Sequence, residues 1–403
     1  MSSFSRVAMG VLLTGLSVVL STAAPTLNNG GQGGGTASKQ VHGPKAKRLL
    51  GAGWRLESPV SFQNLTVFPV VADQTANVRR FITLDEGLRT GGVTIAEIGA
   101  RGRVRRLARG EEPSDDAEVN QLLLTNRSGK TLVLIAGEIV VGGKQDRIVG
   151  HDCLIASTGR PVRLDVFCVE PGRWDEGSTF GQSLPIPSAD VARGRGGAGG
   201  RGDSTGSAPA QLGGLTESVT LFASNSRIAP TNVREKAQAV KDQDSVWAEV
   251  AKSENATSTS SSTGNLNAVF ENVEVKTGIE SYDEAFAGKL SEKRIVGVVV
   301  AIAGKIRAAD VFASPVLFRA YWPKLLKSYS LEAISSDDAA NITVAQSAAE
   351  DFLSRVKGRR SQIRRRTYRL VEQQTDSEAS FELVTGSKRP VLIHFNRVTK
   401  QVT

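Results

Sequence analysis

The stretch that decides the fold runs from residue 132 to residue 149 and reads Leu132-Val-Leu-Ile-Ala-Gly-Glu-Ile-Val-Val-Gly-Gly-Lys-Gln-Asp-Arg-Ile-Val149. Apolar runs of this length, bounded by turn residues, are typical of buried strands. The adjacent Gly142 and Gly143 predict a two-residue hairpin turn, because such turns need positive φ angles that glycine adopts freely. The stretch therefore predicts two paired strands that carry Glu138 and Arg147 beside an apolar sheet.

The same pattern continues on both sides of this stretch. Segments rich in β-branched and apolar residues predict strands at 60–71, 80–98, 121–125, 131–141, 145–155 and 162–169. The last four predict an antiparallel meander over residues 121–169. Apolar residues recur at helical spacing in 231–250 and 315–334. We expect an α+β fold with an antiparallel β-rich core, packed helices and a short α+β C-terminal extension.

The N-terminus has the pattern of a secretory signal. Arg6 precedes the apolar run 7–20, and small residues follow as far as Ala24. The apolar run is short for a helix that crosses a bilayer of about 30 Å, and a retained anchor is the alternative. We expect a signal peptide over residues 1–24, cleaved after Ala23 or Ala24, and a bacterial protein exported to the periplasm or the medium.

The composition predicts the remaining organisation. Stretches dominated by Gly, Ser, Thr or Arg do not bury enough apolar surface to fold by themselves. The predicted parts are a disordered linker 25–50, a main domain 51–335 with a Gly/Arg/Ser-rich loop 184–214 and a Ser/Thr-rich loop 253–264, and a C-terminal extension 336–403 packed on the main domain. Nothing in the sequence indicates an oligomeric state.

The predicted register gives a row of three charged residues. Glu138 lies opposite Arg147, and Arg147 lies opposite Glu170 on the next strand. An arginine between two carboxylates keeps both acids ionised and retains donors for another acceptor. The row is either a structural clamp or an anion-binding arginine. The same residues are the catalytic candidates, with a glutamate as general base and the arginine as electrostatic stabiliser.

Residues at the predicted turn favour contact with a ligand. The register places Gln145 beside Gly172, so that two cations, an amide and an indole meet at one point. Such a set is suited to a phosphate with a base or sugar stacked on the indole. A hairpin end with solvated cations is the alternative. The ligand-binding candidates are Gly142, Gly143, Lys144, Gln145, Arg173 and Trp174.

A pair of carboxylates is predicted on the other face of the sheet, where Asp152 lies opposite Asp165. Like charges there are destabilising unless something compensates. The pair therefore predicts either a neighbouring basic side chain or a bound divalent cation. The three histidines lack zinc-site spacing, and neither a nucleotide-binding glycine motif nor a serine elbow is present. We expect no cofactor.

Cys153 and Cys168 are the only cysteines. The predicted register separates them by about 13 Å along the strands, beyond the reach of about 7 Å between the α-carbons of a disulfide. We expect two buried free thiols.

The formal net charge is +9, and seven basic residues fall between Lys357 and Arg369. Basic patches attract polyanions. Stacking aromatics, which favour single-stranded nucleic acid, are scarce in this segment. We expect weak, salt-sensitive attraction to an anionic membrane surface or an envelope polymer, and no specific nucleic acid.

Four pieces of the chain carry a resemblance to a known family: 126–130, 137–147, 168–174, and 310–314 with the helix that contains Trp322. Over residues 56–334 the arrangement resembles the ARG and rhodanese-phosphatase-superfamily-associated protein domain. The resemblance implies an α+β domain that works near NAD or ADP-ribose metabolism. It supplies no catalytic residues, and it adds Asp146 to the site candidates.

Two hypotheses for function follow. The first is a non-enzymatic exported module that binds an anionic small molecule or an envelope polymer through the predicted turn. The second is a hydrolase acting on an ADP-ribose-like or other phosphate-bearing substrate, with Glu138 or Glu170 as base and Arg147 or Lys144 as electrostatic stabiliser.

Overall fold

The computed structural model describes residues 53–98, 120–143, 145–173, 221–290, 294–336 and 342–401, with Arg173 described by its backbone alone. The predicted signal peptide 1–24, linker 25–50 and loop 184–214 lie outside the described residues. Within these ranges, no helix combines the length and the apolar character needed to cross a membrane.

The strands are β1 (Trp54–Leu56), β2 (Val60–Phe62), β3 (Leu65–Ala72), β4 (Phe81–Ile82), β5 (Val93–Glu97), β6 (Gln121–Asn126), β7 (Thr131–Leu134), β8 (Glu138–Val141), β9 (Arg147–Val149), β10 (Cys153–Ile155), β11 (Val162–Cys168), β12 (Ala223–Ile228), β13 (Ile295–Ile302), β14 (Lys305–Phe312), β15 (Arg359–Arg364), β16 (Tyr368–Gln374), β17 (Glu378–Thr385) and β18 (Leu392–Thr399). The helices are α1 (Leu84–Arg89), α2 (Thr231–Glu235), α3 (Gln243–Ala256), α4 (Leu266–Glu271), α5 (Val273–Phe286), α6 (Pro315–Ile334) and α7 (Gln346–Phe352). A π-helical turn, Lys236–Val240, continues α2, and Pro171–Arg173 form a 3-10 turn.

A nine-stranded antiparallel sheet forms the largest layer. Its order is β1-β3-β13-β14-β18-β17-β16-β15, with β2 paired to β3. Every residue of β3 and β13 is buried, as expected for strands covered on both faces. Because β18 lies between β14 and β17, the predicted C-terminal extension shares this sheet with the main domain.

The predicted meander over residues 121–169 is divided between two smaller sheets. A six-stranded sheet has the order β12-β8-β9-β11-β6-β5, whereas β7 and β10 pair with each other in a three-stranded sheet that contains β4. The prediction of one continuous meander is wrong, because the chain turns between β7 and β8 at Gly137, whose φ is +85°. The α+β class is confirmed, with antiparallel pairing in all described strand pairs except the parallel β4–β7.

Residues 80–98 form β4, α1 and β5 instead of the single predicted strand. Thr83 caps α1, since its side chain accepts a hydrogen bond from the Glu86 N–H. Asp85 and Glu86 add negative charge to the first helical turn, where the helix dipole favours it. Thr83 followed by Asp85 and Glu86 is a pattern that indicates the start of a helix. The prediction missed it because the apolar residues around it alternate as they do in a strand.

Apolar side chains hold the layers together. Helix α6 contacts both β13 of the large sheet and β12 of the six-stranded sheet, with Phe318 and Leu325 fully buried. Helix α7 covers the opposite face of the large sheet, where Phe352 packs in one cluster with Phe68. Helices α2 to α5 contribute to a third cluster with Ile148 of β9. The helices thereby pack on β9, the strand that begins with the predicted site residue Arg147.

Cys153 lies on β10 and Cys168 on β11, in different sheets, and both are buried free thiols. The prediction of two free thiols is confirmed. The physical reason differs from the predicted one. The two cysteines are separated because they lie in different sheets, and not because they are offset along neighbouring strands.

Candidate functional site

The predicted row of Glu138, Arg147 and Glu170 does not form. Strands β8 and β9 pair Val140 with Arg147, and β11 places Cys168 opposite Arg147. The connection between β8 and β9 takes in residues 142–146 instead of two residues, which moves the register on β8 from residue 138 to residue 140.

Asp146 closes this longer turn. Its Oδ1 accepts a hydrogen bond from the Gly142 N–H at 3.3 Å. Its Oδ2 accepts one from Asn265 Nδ2 at 3.2 Å, and its carbonyl oxygen accepts one from the Val169 N–H at 3.0 Å. The Gly142 amide, predicted to approach a ligand, is thus engaged within the turn, and the turn is fixed to its neighbours.

Gly143 permits a close approach of this turn to other side chains. Its φ is +63°, and a Cβ atom here would lie 2.5 Å from Phe222 Cζ and 2.6 Å from Glu97 Oε1. Both facts exclude a larger residue without rearrangement. Packing against Phe222 therefore accounts for this glycine without a ligand.

Glu170 connects the turn to the segment that follows β11. Its Oε2 accepts a hydrogen bond from the Asp146 N–H at 3.2 Å, and its Oε1 accepts one from Thr263 Oγ1 at 2.9 Å. The side chain of Gln145 donates to the Glu170 carbonyl at 3.3 Å, which places it two residues before the predicted neighbour Gly172. The structure thus brings Gln145, Asp146 and Glu170 together, whereas the sequence placed Gln145 beside Gly172 and Glu170 opposite Arg147.

Arg147 finds its acidic partner on another strand. Its Nη1 lies 3.4 Å from Oε1 of Glu97 on β5 and donates to the Gln145 carbonyl at 3.2 Å. The guanidinium lies 5.7 Å from the centre of the Phe222 ring, a cation–π distance. Since Arg147 is 4% exposed, it supports the turn from within the fold.

Glu138 pairs with Lys324 of α6 instead of Arg147. The two charged groups approach to 2.5 Å, and the other Glu138 oxygen accepts a hydrogen bond from the Ile135 N–H at 3.0 Å. Lys324 Nζ also lies 3.2 Å from Oδ2 of Asp85. Burial raises the pKa of Glu138, and Lys324 opposes that effect.

The predicted pair of Asp152 and Asp165 does not form either. Asp165 lies opposite Gln121, whose side chain donates to it at 3.2 Å. Asp152 is buried, accepts a hydrogen bond from the Ala136 N–H at 2.8 Å, and lies 2.7 Å from Nδ1 of His394. The break at residues 150–152 moves the chain from the six-stranded to the three-stranded sheet, so the two aspartates are not cross-strand neighbours.

His394 continues this network to Asp310. Its Nε2 lies 3.1 Å from Asp310 Oδ1. Burial by itself lowers the pKa of His394, but Asp152 and Asp310 outweigh burial and raise it to about 9. The ring is therefore an imidazolium at neutral pH, with both nitrogens donating.

Asp310 is the centre of the network. Arg234 donates to both of its oxygens, at 3.1 and 2.9 Å. The hydroxyl of Tyr329 and the amide of Asn396 donate to it as well. Burial raises the pKa of Asp310, but Arg234 and His394 outweigh burial and hold it below its usual range. Since Asp310, Arg234 and His394 are at most 1% exposed, we interpret the network as structural.

Sequence reasoning missed Lys324, Asp310 and His394 as partners of the predicted residues. Asp310 belongs to one of the family-like pieces, and this was the available signal for it. Lys144, the side chain of Arg173 and Trp174 lie outside the described residues. Among the residues that are described, no three His, Cys, Asp or Glu side chains form a group able to hold a metal ion.

Comparison with curated proteins and with solved structures gave no significant match. A family model matches residues 53–397, beyond the predicted limit at residue 334 and into β18. The match contains every strand and helix that positions Gln145, Arg147 and Glu170. The chain therefore belongs to the ARG and Rhodanese-Phosphatase-superfamily-associated Protein domain family.

Proposed function

We propose that the protein is an exported, non-enzymatic module that binds an anionic ligand at the turn site, defined as residues 142–146 with residues 170–174. The observation that supports a binding role over catalysis is burial. The three catalytic candidates, Glu138, Arg147 and Glu170, are 1%, 4% and 2% exposed. A general base has to reach the proton it abstracts.

The bonding of the candidate acids also argues against catalysis. Glu170 accepts hydrogen bonds from a backbone amide and from Thr263, and Glu138 is held by Lys324. The two thiols offer no alternative nucleophile, because burial raises the pKa of both Cys153 and Cys168. These side chains are suited to holding backbone segments in place.

Rigid support is what a binding turn requires. Gln145, which follows Lys144, is tied to Glu170, and the Gly172 N–H donates to the Thr263 carbonyl at 2.7 Å. Gln145 and Gly172, the described neighbours of the proposed contacts, are thus held by hydrogen bonds before a ligand arrives, which reduces the entropy lost on binding. On sequence grounds, Lys144 and Arg173 supply charge to an anion and Trp174 supplies a stacking surface.

A thermal-shift screen tests the proposal. Inorganic phosphate, pyrophosphate, ADP-ribose and a polyphosphate are added to the mature protein, since a ligand that binds only the native state raises its stability by about 2.7 kcal/mol at 100 times its dissociation constant. We expect a hit whose effect is lost in Lys144→Ala and Trp174→Ala and kept in Lys305→Ala, which removes an exposed cation on β14. A hit that survives both turn substitutions contradicts the proposed site.

The enzymatic alternative is decided in the same samples. Each hit is incubated with the protein and analysed by mass spectrometry. Turnover by the wild type that Glu170→Gln abolishes, without loss of thermal stability, would establish a hydrolase and refute the non-enzymatic proposal.

Export is tested by the mass of the mature chain. We expect the secreted or periplasmic protein to begin at Ala24 or Pro25. An intact chain that starts at Met1 and stays inside the cell would contradict export.

A further inference from the structure

Strand β15 is an exposed, strongly basic edge of the large sheet. It pairs with β16 on one side, and no other described strand pairs with its outer side. All of its residues are exposed except the partly buried Ile363. Its outer side therefore presents backbone N–H and C=O groups to which another strand can bond.

The charge of this edge is not neutralised by the neighbouring strands. Arg359, Arg360 and Arg364 lie in β15, and no carboxylate of the described chain forms an ion pair with them. The acids of β16 and β17 have other partners: Glu372 pairs with Lys241, Glu382 with Arg355 and Glu378 with Arg397. The arginines consequently retain their attraction for an external anion.

A neighbouring turn extends the basic surface. The Gly386 N–H donates to the Thr367 carbonyl at 2.9 Å, which holds the exposed turn 386–390 against the turn that follows β15. Arg365 and Arg366 lie in the one turn, and Lys388 and Arg389 lie in the other. Positive charge thus continues past the end of the edge strand.

The arginines occupy both faces of the sheet. Successive residues of a strand point to opposite faces, so Arg359 lies on one face and Arg360 and Arg364 lie on the other. A strand added to this edge also carries side chains on both faces, directly beside those of β15. A flat membrane surface, in contrast, meets one face at a time. The presence of arginines on both faces therefore favours an extended peptide over a lipid surface as the ligand of this edge.

We propose that the β15 edge binds an extended acidic peptide segment of a partner protein by strand addition. Backbone hydrogen bonds supply the pairing, and Glu or Asp side chains on both faces of the added strand supply the selectivity. A second copy of this chain is disfavoured as the occupant, because arginines would then lie opposite arginines. This surface is separate from the turn site and does not depend on the function proposed for it.

Fluorescence anisotropy with the full mature chain tests the proposal. The probe is a labelled peptide of about eight residues, a typical strand length, with glutamates at positions that fall on both faces. The matched probe has the same sequence with N-methyl groups on alternate backbone nitrogens, which keep the charge and remove the ladder hydrogen bonds. We expect the methylated peptide to bind at least about tenfold more weakly.

Because the arginines of β15 are exposed, replacing them should not unfold the protein, and their contribution to peptide binding can be measured directly. Arg360→Gln/Arg364→Gln and Arg359→Gln should each weaken binding of the unmethylated peptide, because the two variants act on opposite faces. Arg319→Gln, which removes an exposed arginine on α6, should leave binding unchanged. Equal binding of the two peptides, failure of both to bind, or a preference for phosphatidylglycerol vesicles over the peptide would each overturn strand addition.

Discussion

His394 of β18 contacts Asp152, a residue 242 positions earlier in the chain, with 2.7 Å between Nδ1 of the ring and Oδ2 of the carboxylate. The same ring reaches Asp310 of β14 through its other nitrogen. One imidazolium therefore joins the last strand of the chain, an inner strand of the same sheet and the point where the chain changes sheets. We expect the protonation of this ring to affect the stability of the whole domain.

Stability should fall as the pH rises from about neutral through 9. The pKa of His394 in the folded protein is about 9, above its ordinary value of 6.5. The proton thus stabilises the fold fully below pH 6.5, and that contribution, about 3 kcal/mol at most, is lost as the pH passes 9. Urea unfolding between pH 6 and pH 10 measures it. In His394→Gln this part of the pH dependence should disappear, and an unchanged profile would show that the ring does not carry the charge.

Lys324 should be more important to stability than any surface lysine. Replacing it with Met leaves Glu138 buried without its cation, and breaking a buried pair in this way costs about 3 to 5 kcal/mol. Lys324→Met/Glu138→Gln should recover part of the loss, since the uncompensated charge is then absent. Denaturant unfolding of the two variants measures both effects. A double variant no more stable than the single one would mean that the pair contributes through packing alone.

The fold class was predictable because it depends on local pattern. The apolar alternation that predicted strands around Val140 and Val166 is set by which face of a strand is buried, and the helix around Phe318 follows from helical spacing. Sheet membership was not predictable in this way. It depends on the turn at Gly137 and the break after Val149, because at these two points the chain passes between the three-stranded and the six-stranded sheet.

The site was predictable only in part, for a related reason. Gln145 and Glu170 come together because they lie at the ends of neighbouring strands, which the sequence indicates. The register depends on Asp146 accepting a hydrogen bond inside a longer turn, and two adjacent glycines do not specify the length of a turn. The partner of Glu138 comes from a helix 186 positions away, a relationship that no local pattern encodes.

Both thiols should titrate after denaturation without reductant and neither should react in the native protein. Cys153 and Cys168 are buried on strands of different sheets, and burial raises the pKa of each thiol. A thiol reagent added in the presence and absence of denaturant makes the measurement. Fewer than two thiols in the denatured, unreduced sample would indicate a disulfide and contradict the sheet assignment.

Gly143→Ala should destabilise the protein far more than Gly129→Ala, although both glycines have positive φ angles, +63° and +77°. At Gly129 an added Cβ meets nothing within 4 Å, so its cost is the backbone strain alone, about 1 to 2 kcal/mol. At Gly143 the methyl group also meets the Phe222 ring and the Glu97 carboxylate, which adds an overpacking cost of about 1 to 3 kcal/mol. Denaturant unfolding of the two variants isolates the packing contribution, because the backbone cost is common to both.

Phe222→Leu should reduce the penalty at residue 143 by shortening the opposing side chain, and it should leave the penalty at residue 129 unchanged. Equal losses for the two glycine variants would show that the turn does not rest on Phe222, and the fixed support proposed for ligand binding would then lack this contact.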